Sequence, residues 1–450
     1  MELFKPLILA KKMSLGFDRL NRRETYLLLI ISAVFIILYI ARICSGNYNL
    51  SDSVDYLLSS GCIKSGDYFI RNIQFEDAFI KTRRPFVYPL FLFVFSSFRI
   101  EIILMVQTLV GIFNVYLMMQ LYKKISTTVP YYFLILVLLT PSIFIYSQVI
   151  MTEWLVMTLL LLLSLLLFSE WTNKMFLYIQ VITTLLAFTK PIFYPLIYLN
   201  LVYFAFYFYK KKVFSITLFL PLICLWLYLG FNNYRTGYTH FSSIENTNLI
   251  DYNLYYFKTN AESKEIADKW VQDIYTKSEK YSDFKSRSLF LKEQARQEIA
   301  KHLFSYSWYH FYTSLRGCID PGRFDVMTYF KREDGKQGFL EILNSGKSIK
   351  SLLDNTYFYI YLLLIPIFLV QLIKIGSVIS YIAAMRRRVN LLRFYLLLVM
   401  LCYILISGPV NSSRYMMPLQ GFLIVIGCLK IDLLVNKKPK VYSRFNIPLQ

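Results

Sequence analysis

Runs of apolar residues long enough to cross a hydrocarbon core recur along this chain, near 25–43, 102–122, 130–147, 149–168, 213–231, 355–375, 391–408 and 415–432. A crossing takes roughly 17–25 residues as an α-helix, and in lipid only segments that satisfy their own backbone hydrogen bonds persist. With 56% of 450 residues hydrophobic and 17% charged, the chain lacks the polar surface a soluble fold of this size requires. A bilayer removes that requirement by solvating the outside of the bundle.

The stretch 175–209 carries no charge except Lys190. As one helix it would be about 50 Å long, too long for a single crossing. Pro191 and Pro195 interrupt it, so two short tilted spans meeting at Lys190 are expected. Phe86–Phe98 is the opposite case, because a helix of that length reaches only about 20 Å. If it does not cross, the basic N-terminal stretch (Lys5, Lys11, Lys12, Arg19, Arg22, Arg23) shares one side with Lys123–Lys124, Lys174, Lys210–Lys212, Arg386–Arg388, Arg393 and the Lys437–Lys440 tail. That bias orients membrane proteins with basic loops in the cytoplasm. The expectation is therefore an all-α polytopic protein of the cytoplasmic membrane, with about ten spans, both termini cytoplasmic, and 86–98 along the outer surface. The N-terminal stretch shows no small-residue cleavage site and reads as an anchor rather than a signal peptide.

The net charge of +21 belongs to this pattern of short clusters between apolar runs, so nucleic acid is not an expected partner. The six cysteines show no C-x-x-C and no nearby His, which argues against a zinc site.

Three regions follow. Residues 1–231 form a membrane module with a first outer loop at 44–101, 232–354 an extracytoplasmic and mostly helical insertion, and 355–450 the last spans with a basic tail. Within the insertion, 261–303 reads as helical, with Ile266, Trp270, Ile274, Phe290, Ile299 and Leu303 at recurring spacing. Gly317, Pro321, Gly322 and Gly335 then mark loops.

This topology gathers the ionisable residues on one face: Asp52, Asp55, Arg83 and Arg84 in the first outer loop, Glu153 at the outer end of its span, Lys190 at the outer turn, Arg235 after an outward span, and Arg414 in the last outer loop. Charges at span ends face a polar cavity or each other. Plainer roles stand beside this. Lys190 and Arg414 suit snorkelling anchors, Glu153 after Thr152 suits a helix N-terminus, and Asp52 suits a cap for the helix that carries Asp55.

The segments S-D-S-V-D-Y (51–56), R-R-P-F-V-Y-P-L (83–90), T-E (152–153), F-T-K-P (188–191), N-N-Y-R-T-G-Y-T-H-F-S-S (232–243) and S-R-Y-M-M-P-L (413–419) resemble, in order and placement, the landmarks of GT-C glycosyltransferases. The resemblance is to the lipid A aminoarabinose transferase and protein mannosyltransferase branch. It covers about 25–243 and 391–430 and leaves the insertion out. It implies a polyprenyl-phosphate sugar as donor and a glycan, lipid or protein acceptor. It places Asp55 and Glu153 at the reaction centre, with Arg84 and Lys190 on the donor phosphate.

Arg83, Arg235 and Arg414 are further phosphate-binding candidates, and Tyr56 and Tyr88 are candidates for substrate contact. Two features depart from the family. Met151 stands where a metal-holding D-x-D would begin, and Val54 and Tyr56 flank Asp55, so no cofactor is expected to be required and a divalent metal is doubtful. Sugar transfer calls for a carboxylate on the acceptor hydroxyl and cations on the leaving phosphate, arginine offering a bidentate fork and lysine a point charge. An oligosaccharide polymerase or ligase of another membrane fold, and a lipid-linked glycan transporter or flippase, are the alternatives.

Overall fold

The computed structural model describes residues 17–46, 48–50, 52–169, 172–329, 358–385, 391–410 and 412–436. The basic residues Lys5, Lys11, Lys12, Arg386–Arg388 and Lys437–Lys440, and Gly335 in the insertion, lie outside the described residues. Among the described residues the regular structure is helical, with one isolated bridge pair, Gln74 and Asp283.

The first part of the chain forms α1 (Arg22–Ser45), α2 (Ser53–Ser65), α3 (Phe75–Arg83), α4 (Val87–Val94), α5 (Ile100–Ile125), α6 (Tyr132–Leu138), α7 (Pro141–Ile145), α8 (Glu153–Leu167), α9 (Asn173–Thr189), α10 (Tyr194–Lys211) and α11 (Leu220–Thr236). The insertion contains α12 (Ile244–Thr247), a π-helical turn at Asn248–Leu254, α13 (Tyr255–Ala261), α14 (Lys264–Ser278), α15 (Phe284–Lys301), α16 (Leu303–Gly317) and α17 (Arg323–Tyr329). The C-terminal part holds α18 (Phe358–Met385), α19 (Leu391–Ser407), α20 (Ser413–Met416) and α21 (Gln420–Asn436).

Among the described residues, six helical segments are long and apolar enough to cross a membrane: Arg22–Ser45, Ile100–Ile125, Pro191–Lys211, Ile216–Thr236, Leu362–Ala383 and Ser413–Val435. Glu153–Leu167 and Phe394–Val410 are shorter apolar helices. A multi-pass helical membrane protein follows from these. The 175–209 stretch breaks where its prolines stand, with a 3-10 turn at Pro191–Phe193 between α9 and α10. The 130–147 run differs from its expected single span, because it is cut into α6 and α7 at Thr140–Pro141. Proline fits the first turn of a helix but cannot continue one. The eight-residue α4 reaches about 12 Å, short of a hydrocarbon core, in keeping with a segment that does not cross.

Close packing of the bundle is sequence-encoded at Gly111 on α5, where an added Cβ would lie 2.6 Å from Ser147 Oγ and 2.8 Å from Phe35 on α1. At the start of α1, Asn21 and Glu24 form a reciprocal capping box. The fully buried Glu24 carboxylate also pairs with Lys123 at 3.1 Å and accepts from Val129 N at 3.1 Å, tying α1 to the end of α5.

The two large loops share one core. Phe75 and Ala78 of α3 pack with Ile250, Leu254, Ile274, Phe284 and Leu291 of the insertion, and Phe284 N donates to Ile73 O at 2.8 Å. Ile274 is buried, and Trp270, Phe290 and Ile299 pack against this core. Ile266 and Leu303, expected on the same face, are instead about half exposed.

Candidate functional site

Two prolines set the geometry. The residue before a proline is pushed out of the helical region. Arg84 before Pro85 (φ −119°, ψ 131°) and Lys190 before Pro191 (φ −143°, ψ 123°) are both extended, ending α3 and α9. Each basic side chain thus leaves a helix end beside a carboxylate, Asp55 for Arg84 and the fully buried Glu153 for Lys190.

The result is one interleaved row of charges. Asp55 Oδ2, in the first turn of α2, lies 2.9 Å from Arg83 Nε and accepts from Arg84 Nη2 at 2.7 Å. Arg84 also reaches Asp52 Oδ1 at 3.1 Å. Arg414 on α20 bridges onward, bonding Asp52 and donating from Nε to Glu153 Oε1 at 3.1 Å. Lys190 Nζ completes the row on the same Glu153 oxygen at 3.0 Å. Four cations thus face three carboxylates drawn from segments up to 362 residues apart in sequence.

Most of the row is shielded from solvent, Arg83 at 29% and Asp52 at 20% being its most exposed members. Glu153 has a side-chain exposure of 0%, Arg84 7%, Lys190 8% and Asp55 12%. Gln107 of α5 donates to Val149 O at 3.0 Å and accepts from Trp154 Nε1 at 2.8 Å, and Asn114 donates to Trp154 O. The start of α8 therefore lies alongside α5, roughly 10–20 Å past that helix's own beginning, so Glu153 is recessed among helices. Its second oxygen, Oε2, is buried without a hydrogen-bond partner among the described residues.

Aromatic faces line the cations. Arg84 lies 4.8 Å from the Tyr56 ring centre, and Tyr415 receives Lys190 at 4.8 Å and Arg414 at 5.5 Å. Burial alone would raise the Asp52 carboxyl, but the guanidinium groups of Arg414 and Arg84 outweigh it and hold it well below the usual carboxylate range.

Several expected roles change. Asp52 makes no side-chain capping bond to α2; its carboxylate is committed to Arg84 and Arg414 because two guanidinium groups attract it more strongly than one backbone N–H. Lys190 and Arg414 are not snorkelling anchors, since both are turned inward onto Glu153. Thr152 does not cap α8; its hydroxyl lies 3.3 Å from Tyr56 OH.

Arg235 stands apart from the row. It donates to the carbonyls of Tyr68 at 3.0 Å and Lys81 at 3.4 Å, bonds Asn232, and stacks on Tyr68 and Phe231. It fastens the first loop to α11 rather than facing the charges. Tyr88 is fully buried behind Tyr56, the rings edge-to-face at 4.9 Å, with its hydroxyl committed to Gln107 at 2.7 Å.

Each carboxylate of the row is held by guanidinium or ammonium groups, and among the described residues the row forms no converging ligand set. Among the described residues, the group at ligand spacing is Glu262, Glu298 and His302 in the insertion. There the Lys258 ammonium already bonds Glu298 at 2.7 Å and Glu262 at 2.9 Å.

Two residues escaped the sequence reading. Lys374 is buried in α18 and donates to Thr140 Oγ1 at 3.0 Å and Gln420 Oε1 at 2.6 Å; the signal was a lone lysine inside an apolar run. Asp325 on α17 is buried and accepts from the hydroxyls of Tyr146 and Ser413. Nothing local in R-F-D-V-M announced it. Burial pushes its carboxyl up to about 7, with Asp320 adding to the shift and the two hydroxyl bonds opposing it. Its folded value exceeds its unfolded one, so the native state binds the extra proton, and stability should fall as pH rises from about 4 to about 7. Asp325→Asn is expected to flatten that slope, read as Tm of the full chain against pH; an unchanged slope would contradict the assignment.

Comparison with protein-family models, curated proteins and solved structures finds no match to this chain.

Proposed function

We propose that this chain is an integral membrane glycosyltransferase, GT-C-like with about ten spans, moving a sugar from a polyprenyl-phosphate donor to a glycan, lipid or protein acceptor on the extracytoplasmic face of the cytoplasmic membrane. The observation that carries the reading is the interleaved row itself: four cations and three carboxylates, recessed among apolar helices. A lipid-linked phosphate needs a cationic seat that its isoprenoid tail can reach from the bilayer, and buried cations stabilise a leaving phosphate more strongly than exposed ones.

In this reading Arg84 and Lys190, with Arg83 and Arg414, take the phosphate as it departs, exchanging part of their pairing with Asp55, Asp52 and Glu153 for pairing with the donor. Asp55 receives the acceptor hydroxyl proton. Glu153, through its unpartnered oxygen, orients a sugar or acceptor hydroxyl. Tyr56 packs beside the seat. No divalent metal is required, because the four side-chain cations supply the charge that a metal would supply.

The test measures binding of undecaprenyl phosphate to the full-length protein in detergent, and transfer from the sugar-loaded form. Arg84→Ala and Lys190→Ala should each weaken binding about tenfold or more, the loss of one charge-assisted bond, and chelator should leave transfer unchanged. Wild-type binding by both variants, or activity lost in chelator and restored by magnesium or manganese, would contradict the scheme.

A further inference from the structure

Beside the charge row lies a cavity of about 270 Å3, close in size to small-ligand pockets. Its lining includes Arg42 at the end of α1, Tyr146, Asp325, Thr328, Tyr329 and Arg414. Arg414 belongs to both places: it lines this cavity and also bonds Asp52 and Glu153 of the row.

The cavity wall is chemically mixed in a way that ordinary packing does not require. Arg42 is buried and stacks on the Tyr329 ring at 3.6 Å. Tyr329 is itself fixed, its hydroxyl donating to Gln148 Oε1 at 2.7 Å and lying 3.1 Å from Leu38 O. Asp325 is held by two hydroxyls, with the charge of Arg414 also acting on it. Such a carboxyl can exchange a hydroxyl partner for a ligand hydroxyl at little cost, one neutral donor replacing another. Arg42 supplies a planar fork suited to phosphate or carboxylate. Phe324, Val149 and Leu50 add apolar walls that suit the faces of a sugar ring.

We infer that this cavity is the second substrate's site, binding a sugar that bears a phosphate or carboxylate, with Arg42 on the anion and Asp325 and Tyr146 on ring hydroxyls. The assignment as a substrate site rests on the glycosyltransferase reading; the cavity's affinity for an acidic sugar does not. Occupancy would place the ligand against Arg414, the residue that also touches Glu153, so the two sites share one guanidinium.

The test uses full-length protein and three probes, glucose 6-phosphate, glucuronate and neutral glucose, with undecaprenyl phosphate binding as a parallel readout. Glucose 6-phosphate or glucuronate should bind saturably and at least about tenfold more tightly than glucose, the contribution of one charge-assisted pair. Thr328→Trp, which fills the cavity, should abolish sugar binding and spare undecaprenyl phosphate binding. Asp325→Asn, which keeps the shape but turns one acceptor oxygen into an amide donor, should weaken it several-fold. Arg84→Ala should show the reverse pattern, losing undecaprenyl phosphate and keeping the sugar. Acidic-sugar binding that survives Thr328→Trp in folded protein, or no saturable binding to the wild type, overturns the inference. Acidic-sugar binding lost in Thr328→Trp, with no undecaprenyl phosphate binding to any form, would keep the cavity's ligand and sink the glycosyltransferase reading instead.

Discussion

Asp55→Asn is expected to insert and fold normally yet transfer sugar about 10²–10⁴-fold more slowly than the wild type, the usual contribution of a positioned proton acceptor. Asparagine keeps the size and part of the hydrogen bonding but cannot take the acceptor's proton. The position is rigid because α2 carries it and because Arg83 and Arg84 grip one oxygen at 2.9 Å and 2.7 Å. That grip also means the substitution loosens both arginines, so a change in donor affinity accompanies the loss of rate. Single-turnover rates at saturating donor separate the two, since the proton-acceptor role lowers the chemical step while the positioning role is recovered by excess donor. Near-normal single turnover by folded Asp55→Asn would remove Asp55 from the mechanism.

Asp52 cannot serve as the silent neighbour in that comparison. A capping aspartate tolerates asparagine, but Asp52 is an ion-pair partner of Arg84 and Arg414, and its substitution breaks the row.

The second large effect is on stability. Arg414→Ala leaves Asp52 and the fully buried Glu153 short of their shared cation. Removing one member of a buried ion pair costs about 3–5 kcal/mol, because the remaining charge stays buried and uncompensated. Tm of the full chain in detergent should fall by several degrees. Arg414→Lys should recover only part of it, since a single ammonium cannot bond two carboxylates as a planar fork does. Glu153 retains Lys190 at 3.0 Å, which limits the loss. A wild-type Tm for Arg414→Ala would show that the row is not an energetic unit.

What the sequence disclosed and what it hid follow from the range of the forces involved. The apolar runs and the break at Lys190–Pro191 are local consequences of burial and backbone sterics, and they are legible in the sequence. The cut at Thr140–Pro141 was also written locally, but the flanking apolar residues concealed it. Asp52 suits a cap on local grounds, since a cap lies within reach of neighbouring residues, whereas one of its two actual partners, Arg414, is 362 residues away. Arg235 sits in a family-like segment, yet three-dimensional packing turns it onto the carbonyls of Tyr68 and Lys81. Asp325 was invisible for the same reason, its environment being made by Tyr146 and Ser413 from remote segments.

Whether the recessed charge row serves transfer from a lipid-linked phosphate is decided by sugar transfer by the purified full-length chain in lipid vesicles, from labelled polyprenyl-phosphate sugars to acceptors in a membrane extract. The wild type is expected to transfer sugar from at least one such donor without added divalent metal, slowed at least about 100-fold in Asp55→Asn. Folded wild-type protein that moves no sugar from any polyprenyl-phosphate donor, or that moves it equally well with Asp55 replaced, would contradict that expectation.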